Sequence, residues 1–307
     1  MSIPIVIFHV GYRDYLELAL TTAKKYNKDV LLIGDESNQS SWDFHLMKDQ
    51  LMSSLYQDFL KKYTKMSSFD SEYDLLIFER FFCLREWMKN NQINEAWLLD
   101  SDVISFNNFA EKYSIYLKNS IAALSIPYTQ KDYRWSASGH TSYWTFEGIT
   151  SFTDFCLETY SKNSRLLQEK YNWHIKNNIP GGVCEMTLLY LWAKERTDVF
   201  NTAQVYDEMT LDHSISISEN FSLNEYSVTI GGIKHIKFKE GFPYCFNKKI
   251  GKDIAFLSLH CQGSSKKYMY FFANDRLQDF YQLAIIRHLV RLVRPQRVRN
   301  KIKKLLK

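Results

Sequence analysis

Residues 93–99, Ile-Asn-Glu-Ala-Trp-Leu-Leu, run straight into Asp100-Ser101-Asp102. An apolar run of this kind is hydrophobic on both faces, which suits an inner strand of a parallel sheet covered by helices on both sides. Its end is equally constraining, because open α/β sheets bind ligands just beyond the carboxyl edge of their strands. Residues i and i+2 of an extended chain point the same way, so Asp100 and Asp102 can both face one hard cation there. A solvated Asp-Ser-Asp turn is the alternative, since these side chains also bond nearby backbone.

The preceding residues supply a matching start. Residues 3–10 read as a strand ending at Gly11, residues 14–25 as a helix, and residues 30–33 as a second strand closed by Gly34-Asp35-Glu36-Ser37. Strand, helix and strand in this order make a right-handed βαβ unit with parallel strands. His9, Gly11 and Asp35 therefore fall at the same sheet edge as Asp100, where Asp35 can accept hydrogen bonds from a base or ribose or simply close a polar turn. Residues 42–64 read as an amphipathic helix. Residues 75–89 form a stronger one, with a broad apolar face and with Arg80 and Arg85 within it. A strand is expected over 120–126, ended by Pro127.

The later chain offers three further candidate segments. Residues 135–145 mix small, hydroxyl and aromatic residues with one histidine, a composition that suits a loop and hairpin at a sugar pocket, with Trp135 and His140 as contacts. A helix is expected over 149–171. Gly181 and Gly182 then precede a helix over 187–192, where glycine lets backbone approach a ligand and Glu185 sits in the first turn. That position also favours an acid through the helix dipole alone. Short β-like pieces follow at 226–230 and 235–238, preceded by Asp212-His213. Last, the strand over 254–259 runs into His260, with Gly263 and Lys266 behind it. The form repeats the first site: an apolar strand with a metal-competent side chain at its end, and a lysine that can meet a phosphate as a point charge.

Charge divides the chain in two. Residues 287–307 hold five Arg, four Lys and no acid, so the net +5 of the whole leaves −4 on the remainder. A slightly acidic body argues against nucleic-acid binding and for a separate role of the tail. Apolar residues recur among the basic ones on either side of Pro295, the pattern of an amphipathic helix lying on an anionic membrane. The expected organisation is a domain over 1–275 and a membrane-associating tail over 276–307. The five cysteines form no CxxC pair and suit buried thiols of a reducing compartment. The N-terminus reads as a strand rather than a signal peptide, and no apolar run is long enough to span a bilayer. The expected location is cytoplasmic, on the inner face of the membrane.

Taken together, the βαβ start, Leu98-Leu99-Asp100-Ser101-Asp102-Val103, the Gly181-Gly182 pair before Glu185, and the late His260-x-x-Gly263-x-x-Lys266 resemble the bacterial nucleotide-sugar glycosyltransferases of the GT-A fold. The resemblance covers roughly residues 3–270. It implies a Rossmann-like mixed sheet flanked by helices and a Mn²⁺ or Mg²⁺ ion on the diphosphate of a UDP-sugar. Asp102 and His260 would be direct ligands, with Asp100 on the ion or the ribose. It further implies a nucleotide held near His9, Gly11, Asp35, Arg80, Ser101, Gly263 and Lys266, and an acceptor held by the 135–145 and 181–186 segments. The implied reaction moves a hexose such as galactose, galactofuranose or glucose to a hydroxyl of a lipid-linked glycan in surface-polysaccharide assembly. Glu185, or else Asp212, would take the acceptor proton. Two readings compete: a nucleotidyl- or phosphotransferase using the same Asp pair, and a non-catalytic protein on the membrane surface.

Overall fold

The computed structural model describes residues 2–162 and 164–276. The fold is the expected α/β class, a mixed sheet flanked by helices. Its opening is the βαβ unit read from the sequence: β1 (Ile5–Phe8), α1 (Asp14–Tyr26) and β2 (Val30–Gly34). An edge strand β3 (His45–Met47), then α2 (Ser54–Lys62), α3 (Ser71–Asn90) and β4 (Glu95–Asp100) follow. Beyond β4 come β5 (Val103–Ser105), α4 (Phe109–Leu117), β6 (Ala122–Ser125), β7 (Ser138–Thr145), α5 (Phe146–Lys162), α6 (Ser164–Lys176), α7 (Glu185–Ala193) and β8 (Val199–Asn201). The remaining elements are β9 (Met209–Leu211), β10 (Lys237–Lys239), β11 (Phe242–Asn247), β12 (Lys252–His260) and α8 (Met269–Ala273).

Among the described residues the main sheet has seven strands in the order β3-β2-β1-β4-β7-β6-β8. β1 to β4 are mutually parallel where they pair, and β7 runs antiparallel to both β4 and β6. Alternation within a strand divides the core between the two faces. Ile5, Ile7, Trp97 and Leu99 pack on the side of α1 and α4, while Val6, Phe8, Ala96 and Leu98 pack on the side of α3, α5 and α7. A smaller sheet in the order β10-β11-β12-β5, with β9 beside β12, closes the first of these faces.

Four local expectations are corrected. The helix read over 42–64 begins only at Ser54, where Ser53 caps it by accepting from the Tyr56 N–H. Residues 45–47 are drawn instead into pairing with β2. The loop read over 135–145 is mostly β7, a buried strand between β4 and β6. Ser142 is satisfied inside the sheet, bonding the Gly139 carbonyl and accepting from the Trp144 indole. Polar composition disguised a central strand. The helix read over 149–171 is two helices, α5 and α6. The β-like piece at 226–230 makes isolated bridges, Tyr226 with Asn247 and Val228 with Lys234, and the piece at 235–238 is a strand only in its second half, where it enters β10.

All five cysteines are buried free thiols. No described helix is long and apolar enough to cross a membrane. The tail expected over 276–307 lies, beyond Arg276, outside the described residues.

The glycine pair has a structural use. Gly182 has φ +131°, and a Cβ there would sit 2.3 Å from the Met66 carbonyl oxygen. Its backbone bridges Ser67, and the Val183 N–H donates to that same carbonyl at 2.8 Å. Close approach of two backbones, rather than of a ligand, requires the glycine. Gly182→Ala should therefore lose about 1–3 kcal/mol of stability, the usual cost of a strained backbone position; a urea midpoint equal to wild type would contradict this.

Candidate active site

The site forms where β1, β2, β4 and β12 end. Phe8 pairs with Asp100 in the β1–β4 register, so the next residues, His9 and Ser101, meet, with Nδ1 to Oγ at 2.8 Å. The loop after β2 is bound to the loop after β1: the Gly11 N–H donates to Asp35 at 2.9 Å, and Asn38 donates to the carbonyls of His9 and Gly11. Asp35 also caps the turn that follows it, bonding the Ser37 N–H and hydroxyl. Burial raises its pKa, but these bonds outweigh burial and hold it below the ordinary value. Asp35 thus ties the loop after β1 to the loop after β2 with its own carboxylate.

Asp102 and His260 are brought together by a strand pair. β5 leaves the Asp-Ser-Asp turn and runs antiparallel to β12, with Val103 opposite His260. The Cys261 N–H donates to the Asp102 carbonyl at 2.8 Å. His260 Nε2 lies 3.4 Å from Asp102 Oδ1, and one ligand atom each of Asp100, Asp102 and His260 lie within 4.8 Å of one another. Lys266, on the short 3₁₀ turn Gly263–Tyr268, reaches back to 3.2 Å from Asp102 Oδ2 and lies over the Tyr15 ring. Burial alone would raise the Asp102 pKa, but His260 and Lys266 hold it well below the carboxylate range. Asp102 is therefore an anion in a largely buried position, and its Oδ1 has no hydrogen-bond partner.

Arg80 of α3 joins the acids. It bonds Asp100 through Nη1, and its Nη2 is 3.3 Å from Glu185 Oε1 at the start of α7. Burial raises the Glu185 pKa above the usual value and the nearby Asp100 adds to this, against the lowering by Arg80. Its Oε2 is buried without a partner. Burial lowers the His260 pKa, but Asp102 outweighs burial and holds the imidazole above its ordinary value. Two carboxylates and one imidazole make a donor set that fits a divalent cation.

No protein-family model matches the chain, and no curated protein sequence matches it. Comparison with solved structures finds likenesses to mouse xyloside xylosyltransferase 1 (11% identity, TM-score 0.47, covering 67% of this chain and 86% of that one). Another is the galactosyltransferase LgtC in complex with donor and acceptor sugar analogues (13% identity, TM-score 0.39, covering 65% and 73%). A third is the bifunctional glycosyltransferase WbbM (10% identity, TM-score 0.41, covering 71% and 41%).

Several expected site residues sit elsewhere than expected. Asp212 is fully buried: Oδ1 pairs with Lys234 at 2.7 Å and Oδ2 accepts from the His260 N–H at 3.0 Å. Both oxygens are occupied, which leaves none to abstract a proton. His140 is buried against His260 rather than open to an acceptor, with ring centroids 4.1 Å apart. Gly181 and Gly182 face the 66–68 backbone. Sequence reading missed Tyr15 and Tyr73, which line the cleft beside His9 and Arg80, and Lys234, whose buried ammonium no local pattern announces.

Trp135 packs on Tyr133, and the buried Lys170 of α6 lies over it while donating to the carbonyls of Tyr133 and Arg134. Burial pushes the Lys170 ammonium down to about 8 from its usual 10.5. Below the lower value both folded and unfolded chains carry the proton, and the cost of burying it is complete. As pH rises through that window the folded chain loses the proton first, so the unfolded chain binds more and stability rises. Urea midpoints from pH 7.5 to 10 should accordingly climb more steeply for wild type than for Lys170→Met. Parallel profiles would count against a charged, buried Lys170.

Proposed function

We propose that the protein is a metal-dependent glycosyltransferase of the GT-A type, which moves a hexose from a UDP-sugar to a hydroxyl of a glycan acceptor. The observation that supports this most is the convergence of Asp100, Asp102 and His260 at the carboxyl edge of the sheet, with Lys266 on the same carboxylate. These three side chains would hold Mn²⁺ or Mg²⁺. The ion, when bound, acts as a Lewis acid that steadies charge on the departing diphosphate. Lys266 adds a point charge for a phosphate oxygen as Asp102 turns to the cation. His9 is pushed down to about 4 by burial and by Lys266, so it meets the nucleotide as a neutral imidazole with its buried Nε2 free to bond.

Glu185 is the carboxylate we assign to the acceptor. The acceptor hydroxyl forms the new bond to the anomeric carbon, its proton passes to Oε2, and the bond to the leaving diphosphate breaks with its electron pair on oxygen. A raised pKa suits a group that must accept and then release a proton near neutral pH. Arg80 keeps Glu185 and Asp100 from repelling one another in the same buried space.

The direct check is thermal stability with UDP-galactose or UDP-glucose, with and without Mn²⁺. Wild type should gain stability only when nucleotide sugar and Mn²⁺ are present together, and Asp102→Asn should lose both that gain and sugar transfer. Transfer by Asp102→Asn at the wild-type rate would exclude this reading.

The acceptor we assign is lipid-linked, on the inner face of the cell membrane, with the basic segment 287–307 as the attachment. Each Lys or Arg at an anionic surface contributes about 1 kcal/mol, so the nine in that segment suffice even when only half engage. Removing 287–307 should abolish flotation with phosphatidylglycerol vesicles while the far-ultraviolet circular dichroism of the body persists. Equal flotation of the truncated and full chains would overturn the assignment.

A further inference from the structure

Beneath the three cation-facing side chains lies a layer of polar groups, all buried except the half-buried His213. Its members are His140 on β7, Asp212 and His213 after β9, and Lys234. They converge on one residue, His260. The His260 N–H donates to Asp212 Oδ2 at 3.0 Å, its carbonyl accepts from the Ile215 N–H at 3.0 Å, and its Nδ1 lies 2.7 Å from the His213 carbonyl. A carbonyl can only accept, so Nδ1 carries the proton and the neutral ring presents Nε2 as a lone pair. That lone pair is the atom 3.4 Å from Asp102 Oδ1.

The same logic fixes the ring below. His140 Nε2 lies 2.7 Å from the Asp212 carbonyl and must carry the proton, which leaves Nδ1 to accept from the Ser138 hydroxyl at 2.8 Å. The two imidazoles stack 4.1 Å apart at an interplanar angle of 6°. Carbonyls of two successive residues, 212 and 213, thus set the tautomers of two stacked histidines. Lys234 completes the layer by bonding Asp212 Oδ1, the carbonyls of Ser214 and Glu219, and Asn220. The Asp212 charge is neutralised where it stands and does not compete for a cation.

We propose that His140 and Asp212, backed by Lys234, are positioning residues that aim His260 Nε2 at the cation and so set the preference of the site for Mn²⁺ over Mg²⁺. The inference rests on reading Asp100, Asp102 and His260 as a cation site. Groups that orient a metal-bound histidine typically contribute 10–100-fold to metal affinity. The contribution here is selective, because the imidazole is the ligand that distinguishes Mn²⁺ from Mg²⁺.

The test is Mn²⁺ binding to the full chain, read as loss of the free-ion paramagnetic resonance signal and repeated with competing Mg²⁺. Four proteins are compared: wild type, His140→Ala, His140→Phe and His260→Ala. His140→Ala should weaken Mn²⁺ binding about 10–100-fold, with little change for Mg²⁺, and so bring the Mn²⁺/Mg²⁺ ratio toward that of His260→Ala. His140→Phe, which keeps the stack and loses the bond to the Asp212 carbonyl, should fall between. A purely structural role for His140 would lower thermal stability without moving the ratio. Should His140→Ala not fold, His140→Phe decides on the same ratio. A ratio equal to wild type overturns the positioning role while leaving the cation site standing. Failure of wild type to bind Mn²⁺ overturns the cation reading and the inference together.

Discussion

The antiparallel pairing of β5 with β12 is the interaction on which the site depends. β5 is three residues long and leaves the Asp-Ser-Asp turn with no room for adjustment. Once Val103 is set opposite His260, the Asp102 carbonyl is bonded to the Cys261 N–H, and the Asp102 carboxylate must share space with the imidazole. A slip of one residue would turn the side chain of residue 260 to the other face of the sheet. The small second sheet therefore does more than cover the apolar face of β1 and β4. It carries His260 from late in the chain to the edge of the main sheet.

Electrostatics then decides what that edge can hold. Three buried or half-buried acids lie together, a placement that is tolerated only with charges between them. Arg80 sits between Asp100 and Glu185, and Lys266 closes on Asp102, so each carboxylate has a partner in the ligand-free protein. The partners differ in setting. Arg80 is locked by two acids and by packing on the Phe81 ring, whereas Lys266 stands on a short turn at the cleft mouth. The buried Asp212–Lys234 pair serves another purpose, as a rigid support with every polar atom committed.

Legibility from sequence followed physical scale. The strand ends at His9, Asp35, Asp100 and His260 were readable because each is an apolar run that stops on a polar residue, a signal contained in fewer than ten positions. The same reading failed at β7, where Ser138, His140 and Ser142 look like part of a loop and hairpin at a pocket but are buried and hydrogen-bonded inside the fold. Polarity alone does not report burial when hydroxyl groups bond their own strand and its neighbours. It failed again at 42–64, where pairing to β2 overrode a helical periodicity, and at Gly182, where glycine admits another stretch of backbone.

By itself, the sequence determined that an α/β sheet forms and that acids, a histidine and a lysine lie at strand ends, since hydrophobic period and strand termini are local properties. Only the tertiary structure decided which of those ends meet, that Asp212 is buried as the partner of Lys234, and that His140 lies under His260. These outcomes depend on strand register and on burial between residues tens to hundreds of positions apart. No local pattern of side chains encodes them, because the energy that selects them comes from desolvation and pairing after the chain has closed.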